Sequence, residues 1–279
     1  MIIENHFLEG VPYVEAASHG GIITPKFLTL HYTAQWTAEE AISLFKKGTR
    51  NTSAHLILDR DGSMTQMLPF NVKGHHAGAS FWRGYAGLNS HSIGIEIVNY
   101  GDTNLELVDD KVMDRRRQPL PDGVSDDPKH WLKAKHQLNP GATRLWQLFT
   151  QAQFDILDIL VPLLIDVYNI REVVGHDEIA TPPGRKPDPG PAFPMEHYKQ
   201  FADYANADAE GRYIVIIDDL NCRGGPGTEF SVIRKFKSGD AFKVLKFSGD
   251  GWALIEWGDK SGPARKYRGW VHESYIIRA

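Results

Sequence analysis

Residues 27–32 read Phe-Leu-Thr-Leu-His-Tyr (FLTLHY), apolar on both alternating faces, which fits a strand covered from both sides and not a sheet edge. The run ends in His31. Directly after it, Thr37 and Glu40 have the spacing of a capping box, and Ala38, Ala41, Ile42 and Phe45 recur at helical intervals as far as Gly48. Further along, residues 55–67 (HLILDRDGSMTQM) set Asp61-Gly62 between two strand-like arms and predict a hairpin, and residues 92–99 (SIGIEIVN) predict another strand. A second capping box, Thr150 with Gln153, opens a helix whose face would be Phe154, Leu157, Leu160, Leu164 and Val167, ending near Asn169. Pro162 lies inside that pattern and predicts a kink or an early stop, because proline removes a backbone donor and crowds the preceding turn. Residues 172–176 (EVVGH) predict the last strand, before a proline-rich loop over residues 181–194. Strands alternating with helices predict an α/β unit, with a mixed central sheet flanked by helices.

The 279 residues amount to about two domains. Hydrophobic residues at 42% and charged residues at 24% are ordinary for a packed protein and exclude a collagen-like or wholly disordered chain. The net charge of −4 supplies no global positive field for a polyanion, so no nucleic-acid partner is predicted. No obligate protein partner is inferred either. The single cysteine, Cys222, excludes an internal disulfide and a thiolate cluster, so any metal must use histidine and carboxylate. The opening residues, MIIENHFLEGVPYVEAA, carry no basic segment leading into an apolar run, and cytoplasmic synthesis without a signal peptide is the expectation. The most apolar run, residues 159–165, is too short for a membrane span, so no membrane insertion is expected.

Residues 101–141 are polar, with DD and RRR clusters and no clean period, and read as either a solvated excursion or a wall of a substrate groove, the former preferred. From Tyr213 onward, short apolar runs alternate with glycine-containing turns, predicting a small all-β barrel. Residues 205–211 (ANADAEG) read as the linker, giving domains at 1–207 and 208–279.

Three positions stand apart chemically. His31 and His176 each lie at the carboxyl end of a predicted buried strand, where open α/β sheets place their ligand crevices. Asp188 sits in KPDPGP, where flanking prolines stiffen the loop. Two imidazoles and one carboxylate suit zinc and leave a fourth position for water, although spacing alone favours two unrelated histidines and a turn aspartate. Glu96 is a carboxylate in an otherwise apolar strand, either a buried proton shuttle or a side chain turned to solvent. Lys186 stands two residues before Asp188, either offering an ammonium to a developing oxyanion or resting on the surface.

Read together, LHYTA (30–34), AHLILDRDG (54–62), HHAGASFWRG (75–84), LNSHSIGIEIVN (88–99) and GHDEIATPPGRKPDPGPAF (175–193) resemble the N-acetylmuramoyl-L-alanine amidase type 2 family. The resemblance covers nearly all of residues 20–200. It implies zinc held by His31, His176 and Asp188, a catalytic role for Glu96 in assisting the attacking water, and Lys186 beside the metal. It also implies hydrolysis of the amide between N-acetylmuramic acid and L-alanine, with peptidoglycan or muropeptides as partner. Ala54 and Asp188 stand where phage members carry tyrosine and cysteine, which places the chain nearer the recycling-type and periplasmic amidases. The loop TPPGRK is longer than the family's usual form, which changes the reach of Lys186.

The family places the HAG histidine near the groove, which makes His76 a substrate-contact candidate and leaves His55 a structural role. Trp82 and Arg83 are candidates for stacking on sugar and gripping a peptide carboxylate. The C-terminal unit, with LNCRGGPG (220–227), Trp252 and Trp270, resembles a bacterial SH3 domain, implying attachment to the wall. Both tryptophans read as core, and Cys222 as a buried small hydrophobe. The rival readings are a non-catalytic peptidoglycan-binding protein and a stem-peptide endopeptidase. Action at the wall would require release or export by another route.

Overall fold

FLTLHY is the centre of the larger sheet. In the computed structural model, which describes residues 1–102, 105–114, 120–121, 124–138, 140–210, 212–248, 251–258 and 266–278, all six of its residues are buried in strand β1 (Phe27–Tyr32). The other strands of this sheet are β2 (Leu56–Leu58), β3 (Met64–Gln66), β4 (Ser92–Ile97) and β5 (Glu172–Gly175), in the order β5-β1-β4-β2-β3. Neighbours β5, β1, β4 and β2 run parallel, and β3 returns antiparallel through the Asp61-Gly62 hairpin. This mixed sheet explains why β1 and β4 are apolar on both faces: parallel strands are covered on each side by their crossovers.

Helix α1 (Ala38–Lys47) begins at the Thr37–Glu40 capping box and ends at Gly48, whose φ of 64° is the left-handed cap that glycine adopts without strain. It presses Ala38, Ala41 and Phe45 against Ala54, Ile57, Met67 and Val98, and burying Phe45 alone stabilises the unit by roughly 1.5–3 kcal/mol. Helix α2 (Gln151–Tyr168) starts at the Thr150–Gln153 box and runs without interruption through Pro162 to the left-handed Asn169. The expected stop is absent because the carbonyl that proline deprives of a partner belongs to Asp158, an exposed residue whose backbone water can satisfy. The buried face is Leu157, Leu160, Val161, Leu164 and Ile165, and Val167, expected on it, is 48% exposed. The last strand stops one residue early, so His176 opens the short helix α3 (His176–Ile179).

Within residues 101–141 the preferred reading of a solvated excursion gives way to ordered structure. Strands Leu105–Val108 and Lys111–Asp114 form one hairpin, and Trp131–Ala134 pairs with Arg144–Gln147 in another. Leu105, Val112, Trp131 and Leu145 make a small core, capped by the stacked rings of Trp36 and Tyr100. The arginine cluster at 115–117 lies outside the described residues. Among the described residues no helix is long and apolar enough to cross a membrane.

The chain divides into two compact units, Met1–Phe201 and Ala202–Ala279. Helix α4 (Met195–Glu210) takes in most of the expected linker, since ANADAE is rich in strong helix formers; Gly211 lies outside the described residues. The second unit is a seven-stranded antiparallel sheet: β6 (Arg212–Val215), β7 (Leu220–Arg223), β8 (Val232–Phe236), β9 (Ala241–Phe247), β10 (Trp252–Gly258), β11 (Lys266–His272) and β12 (Ile276–Arg278), in the order β8-β7-β11-β10-β9-β6-β12. Its core gathers Val215, Leu220, Cys222, Phe236, Phe242, Val244, Ala253, Ile255 and Val271. Trp252 is buried and Trp270 half-buried, and burial pushes the free Cys222 thiol up to about 12, which leaves it inert.

Candidate metal centre and active-site cleft

The register of the sheet sets the site. His31 on β1 stands directly opposite Glu96 on β4, and Gly175 at the end of β5 pairs with Leu30, so His176 follows into the same carboxyl-end crevice. The third group arrives from the proline-rich loop, anchored where the amide of Asp177 donates to the carbonyl of Asp188 at 2.7 Å. His31 Nδ1, His176 Nδ1 and Asp188 Oδ2 then form a triangle with sides of 3.0, 3.0 and 2.9 Å, all three residues buried.

The outward ring nitrogens decide what that triangle is. His176 Nε2 donates to the carbonyl of Ala77 at 3.1 Å, and His31 Nε2 donates to His76 Nδ1 at 3.0 Å. His76 Nε2 in turn faces the Ser92 carbonyl at 3.4 Å. With these protons committed outward, both Nδ1 lone pairs and a carboxylate oxygen face one another, an arrangement that a cation resolves. Burial, then the neighbouring His176, lowers the His31 pKa to about 4, so its ring is neutral at ordinary pH. Tetrahedral zinc, with bonds of about 2.0–2.2 Å, has ligand atoms roughly 3.3–3.5 Å apart, so this set fits with a slight opening. Among the described residues it is the one group of three or more histidine, cysteine or acidic side chains that converges closely enough to hold a metal.

A family model for N-acetylmuramoyl-L-alanine amidases matches residues 23–191, the span that supplies every one of these ligands. The chain belongs to that family. Escherichia coli 1,6-anhydro-N-acetylmuramyl-L-alanine amidase AmpD is 30% identical over 149 residues, 53% of this chain and 56% of AmpD. Escherichia coli N-acetylmuramoyl-L-alanine amidase AmiD is 29% identical over 194 residues, 66% of this chain and 56% of AmiD. The chain thus spans about half the length of the curated relatives it matches. A crystal structure of a selenomethionine AmpD derivative shares the fold with a TM-score of 0.50 and 22% identity, covering 72% of this chain and 99% of that one. Residues 218–277 match the bacterial SH3 domain.

In this amidase-family chain the candidate metal centre lies in a cleft of about 440 Å³ whose lining includes Tyr32, Arg50, His75, Glu96, Arg185 and Lys186. Glu96 is half-buried as a residue, yet its Oε2 is covered and has no hydrogen-bond partner. Burial first, and then the charge of Asp188, raises its pKa well above the ordinary value, and Lys186 partly offsets them. Glu96 therefore lines the cleft with one carboxylate oxygen withdrawn from water.

His76 also borders the cleft, but it is buried and its Nδ1 holds His31, so it positions a ligand as well as edging the substrate space. Gly94 makes room for it: a Cβ there would come within 2.5 Å of the His76 ring. His55 is a satisfied core residue, its Nδ1 accepting from the Gly94 amide at 2.9 Å and its Nε2 donating to the Val72 carbonyl at 2.7 Å. Trp82 and Arg83, expected as substrate contacts, are elsewhere. Both bind Glu172, Trp82 through Nε1 at 3.0 Å and Arg83 through Nε at 3.2 Å, and Glu172 opens β5 at the amino end of the sheet. That end is about 13 Å from the ligand end at strand rise, so their shared partner holds them out of the crevice.

Two supporting residues escaped the sequence reading. His136, from the 101–141 segment, bonds Asp177 Oδ2 at 3.1 Å and the Pro187 carbonyl at 3.2 Å, bracing the backbone beside two ligands. Arg185 spends its guanidinium on the carbonyls of Ala77, Ala79 and Thr181, tying the proline-rich loop to the HHAG segment. Neither carries a local signal: a histidine in a polar run and an arginine in a loop look like surface residues until the chain folds.

Proposed function

We propose that this chain hydrolyses the amide joining the lactyl group of N-acetylmuramic acid to L-alanine in peptidoglycan, with a zinc ion held by His31, His176 and Asp188. The observation that carries this reading is the triangle of two Nδ1 lone pairs and one carboxylate oxygen at the floor of the cleft, with the unpartnered Glu96 carboxyl beside it. Membership of the amidase family supports it. A bound zinc supplies Lewis acidity towards a carbonyl and a lowered pKa for water.

The residues of the chain do the rest. His76 and the Ala77 carbonyl fix the two imidazoles in the tautomer that presents Nδ1. Glu96, with its high proton affinity, takes a proton at its carboxylate from the attacking water and returns it to the departing nitrogen. Lys186, on the cleft wall, presents an ammonium to the oxyanion that develops as the carbonyl becomes tetrahedral. Water adds, the carbon–nitrogen bond breaks, and the products are a lactyl carboxylate and a stem peptide with a free L-alanine amine. The SH3 unit would attach the chain to wall polymer, reached by release or export.

Purified sacculi incubated with zinc-loaded, chelator-treated and His176→Ala protein test this by product mass. Intact stem peptides beginning with L-alanine, from the zinc-loaded sample alone, are the expected result. Peptides shortened from their amino end would mark an endopeptidase, and binding without any product would mark a non-catalytic wall protein.

A further inference from the structure

In the C-terminal unit a groove of about 550 Å³ lies between β8, β9 and the ends of β10 and β11, lined by Ile233, Arg234, Phe236, Asp240, Trp257 and Tyr267 among others. Its floor is aromatic. Trp257 stacks on Tyr267 with centroids 6.0 Å apart and planes 22° from parallel, and Phe236 meets Trp257 edge-on at 5.2 Å. Arg234 lies across this floor, its guanidinium carbon 4.9 Å from the Phe236 centroid and 5.5 Å from that of Trp257. A guanidinium held against aromatic rings in this way still has its N–H groups for an acceptor.

Among the described residues no acceptor meets those N–H groups. Among the described residues the Arg234 side chain makes no hydrogen bond or ion pair, whereas Arg268 bonds Glu256 through two nitrogens and Arg223 is spent on the carbonyls of Thr228 and Phe230. Asp240, the acid among the described lining residues, accepts from the Lys237 amide at 2.8 Å. The Trp257 indole N–H is covered and likewise lacks a partner. Charge agrees: over residues 212–279 twelve lysines and arginines face eight aspartates and glutamates, although the whole chain carries −4.

We propose that this groove is a carboxylate site that grips an acidic stem peptide of the wall, with the peptide carboxylate on the N–H fork of Arg234 and its aliphatic atoms on Trp257 and Tyr267. The choice of stem peptide rests on the reading of the chain as a wall amidase; the carboxylate chemistry rests on the groove alone. A fork on a carboxylate is directional and strong where solvent is partly excluded, and an aromatic floor excludes it.

The test is co-sedimentation of the full chain with purified sacculi in chelator, which keeps the wall uncut. Arg234→Gln is expected to bind roughly tenfold or more weakly than the unaltered protein. Lys235→Gln, which removes a neighbouring exposed cation that lies 3.9 Å from Asp219, is expected to bind within about twofold. Sacculi whose carboxyls have been converted to methylamides are expected to hold the unaltered protein as weakly as untreated sacculi hold Arg234→Gln. Equal binding by Arg234→Gln, equal loss in both variants, or undiminished binding to amidated walls would each overturn the proposal. Hydrolysis of a small soluble muropeptide by zinc-loaded Arg234→Gln is read separately and is expected to match the unaltered protein. If that hydrolysis fails in both proteins while the binding differences persist, the amidase reading falls and the carboxylate groove stands.

Discussion

Replacing Glu96 with glutamine separates its chemical role from a structural one, because the two roles move different measurements. The side chain keeps its shape but can no longer take a proton. Positioned acid–base groups contribute about 10²–10⁴-fold in rate, so turnover of a muropeptide is expected to fall by that factor, about 2.7–5.4 kcal/mol of barrier, with KM little changed. Stability should respond to pH. The folded-state pKa of Glu96 is raised by burial and by Asp188, so the folded chain holds a proton that the unfolded chain has released. The stability that this proton confers is fully present below the ordinary glutamate pKa and is lost as pH rises towards the folded value, at up to about 1.4 kcal/mol per pH unit. Glu96→Gln removes that slope. Urea unfolding in chelator across pH 4–8, beside product mass analysis with zinc restored, reads both quantities. Full turnover in Glu96→Gln would refute the proton-transfer role, and an unchanged pH slope would refute the raised proton affinity on which it depends.

Zinc removal should be visible as lost stability. An ion present at 100–1,000 times its Kd adds about 2.7–4.1 kcal/mol, or roughly 5–15 °C in Tm for a unit of this size, and thermal scans with and without chelator measure it. A Tm indifferent to zinc would speak against the triangle as a metal site. His76→Ala takes away the acceptor for His31 Nε2 and is expected to weaken zinc binding about 10–100-fold in a chelator competition; unaltered affinity would show that His31 holds its tautomer unaided. Arg83→Ala, at the far end of the sheet on Glu172, is expected to leave kcat/KM within about twofold, and a tenfold loss would bring that end of the molecule into the substrate path.

The sequence by itself determined the elements and the chemistry available to them. Both capping boxes, the apolar β1 and the Asp61-Gly62 hairpin were legible because helix caps and strand periodicity are local properties, whereas His31, His176, Asp188 and Glu96 stood out as candidates by residue type and became a set only through the family resemblance. The tertiary structure alone decided which histidines matter and how. His76 is tied to a ligand, His55 is a filled core position, and His136 braces the loop from a segment that looked like a solvated excursion. Trp82 and Arg83 sit close to His76 in sequence yet share Glu172 at the opposite end of the sheet. The reason is physical: a ring nitrogen is made a metal-facing acceptor by the partner of the other nitrogen, and that partner comes from a distant strand. Parallel register carries His31 and His176 to one edge across 145 residues of chain, a coincidence that spacing cannot encode.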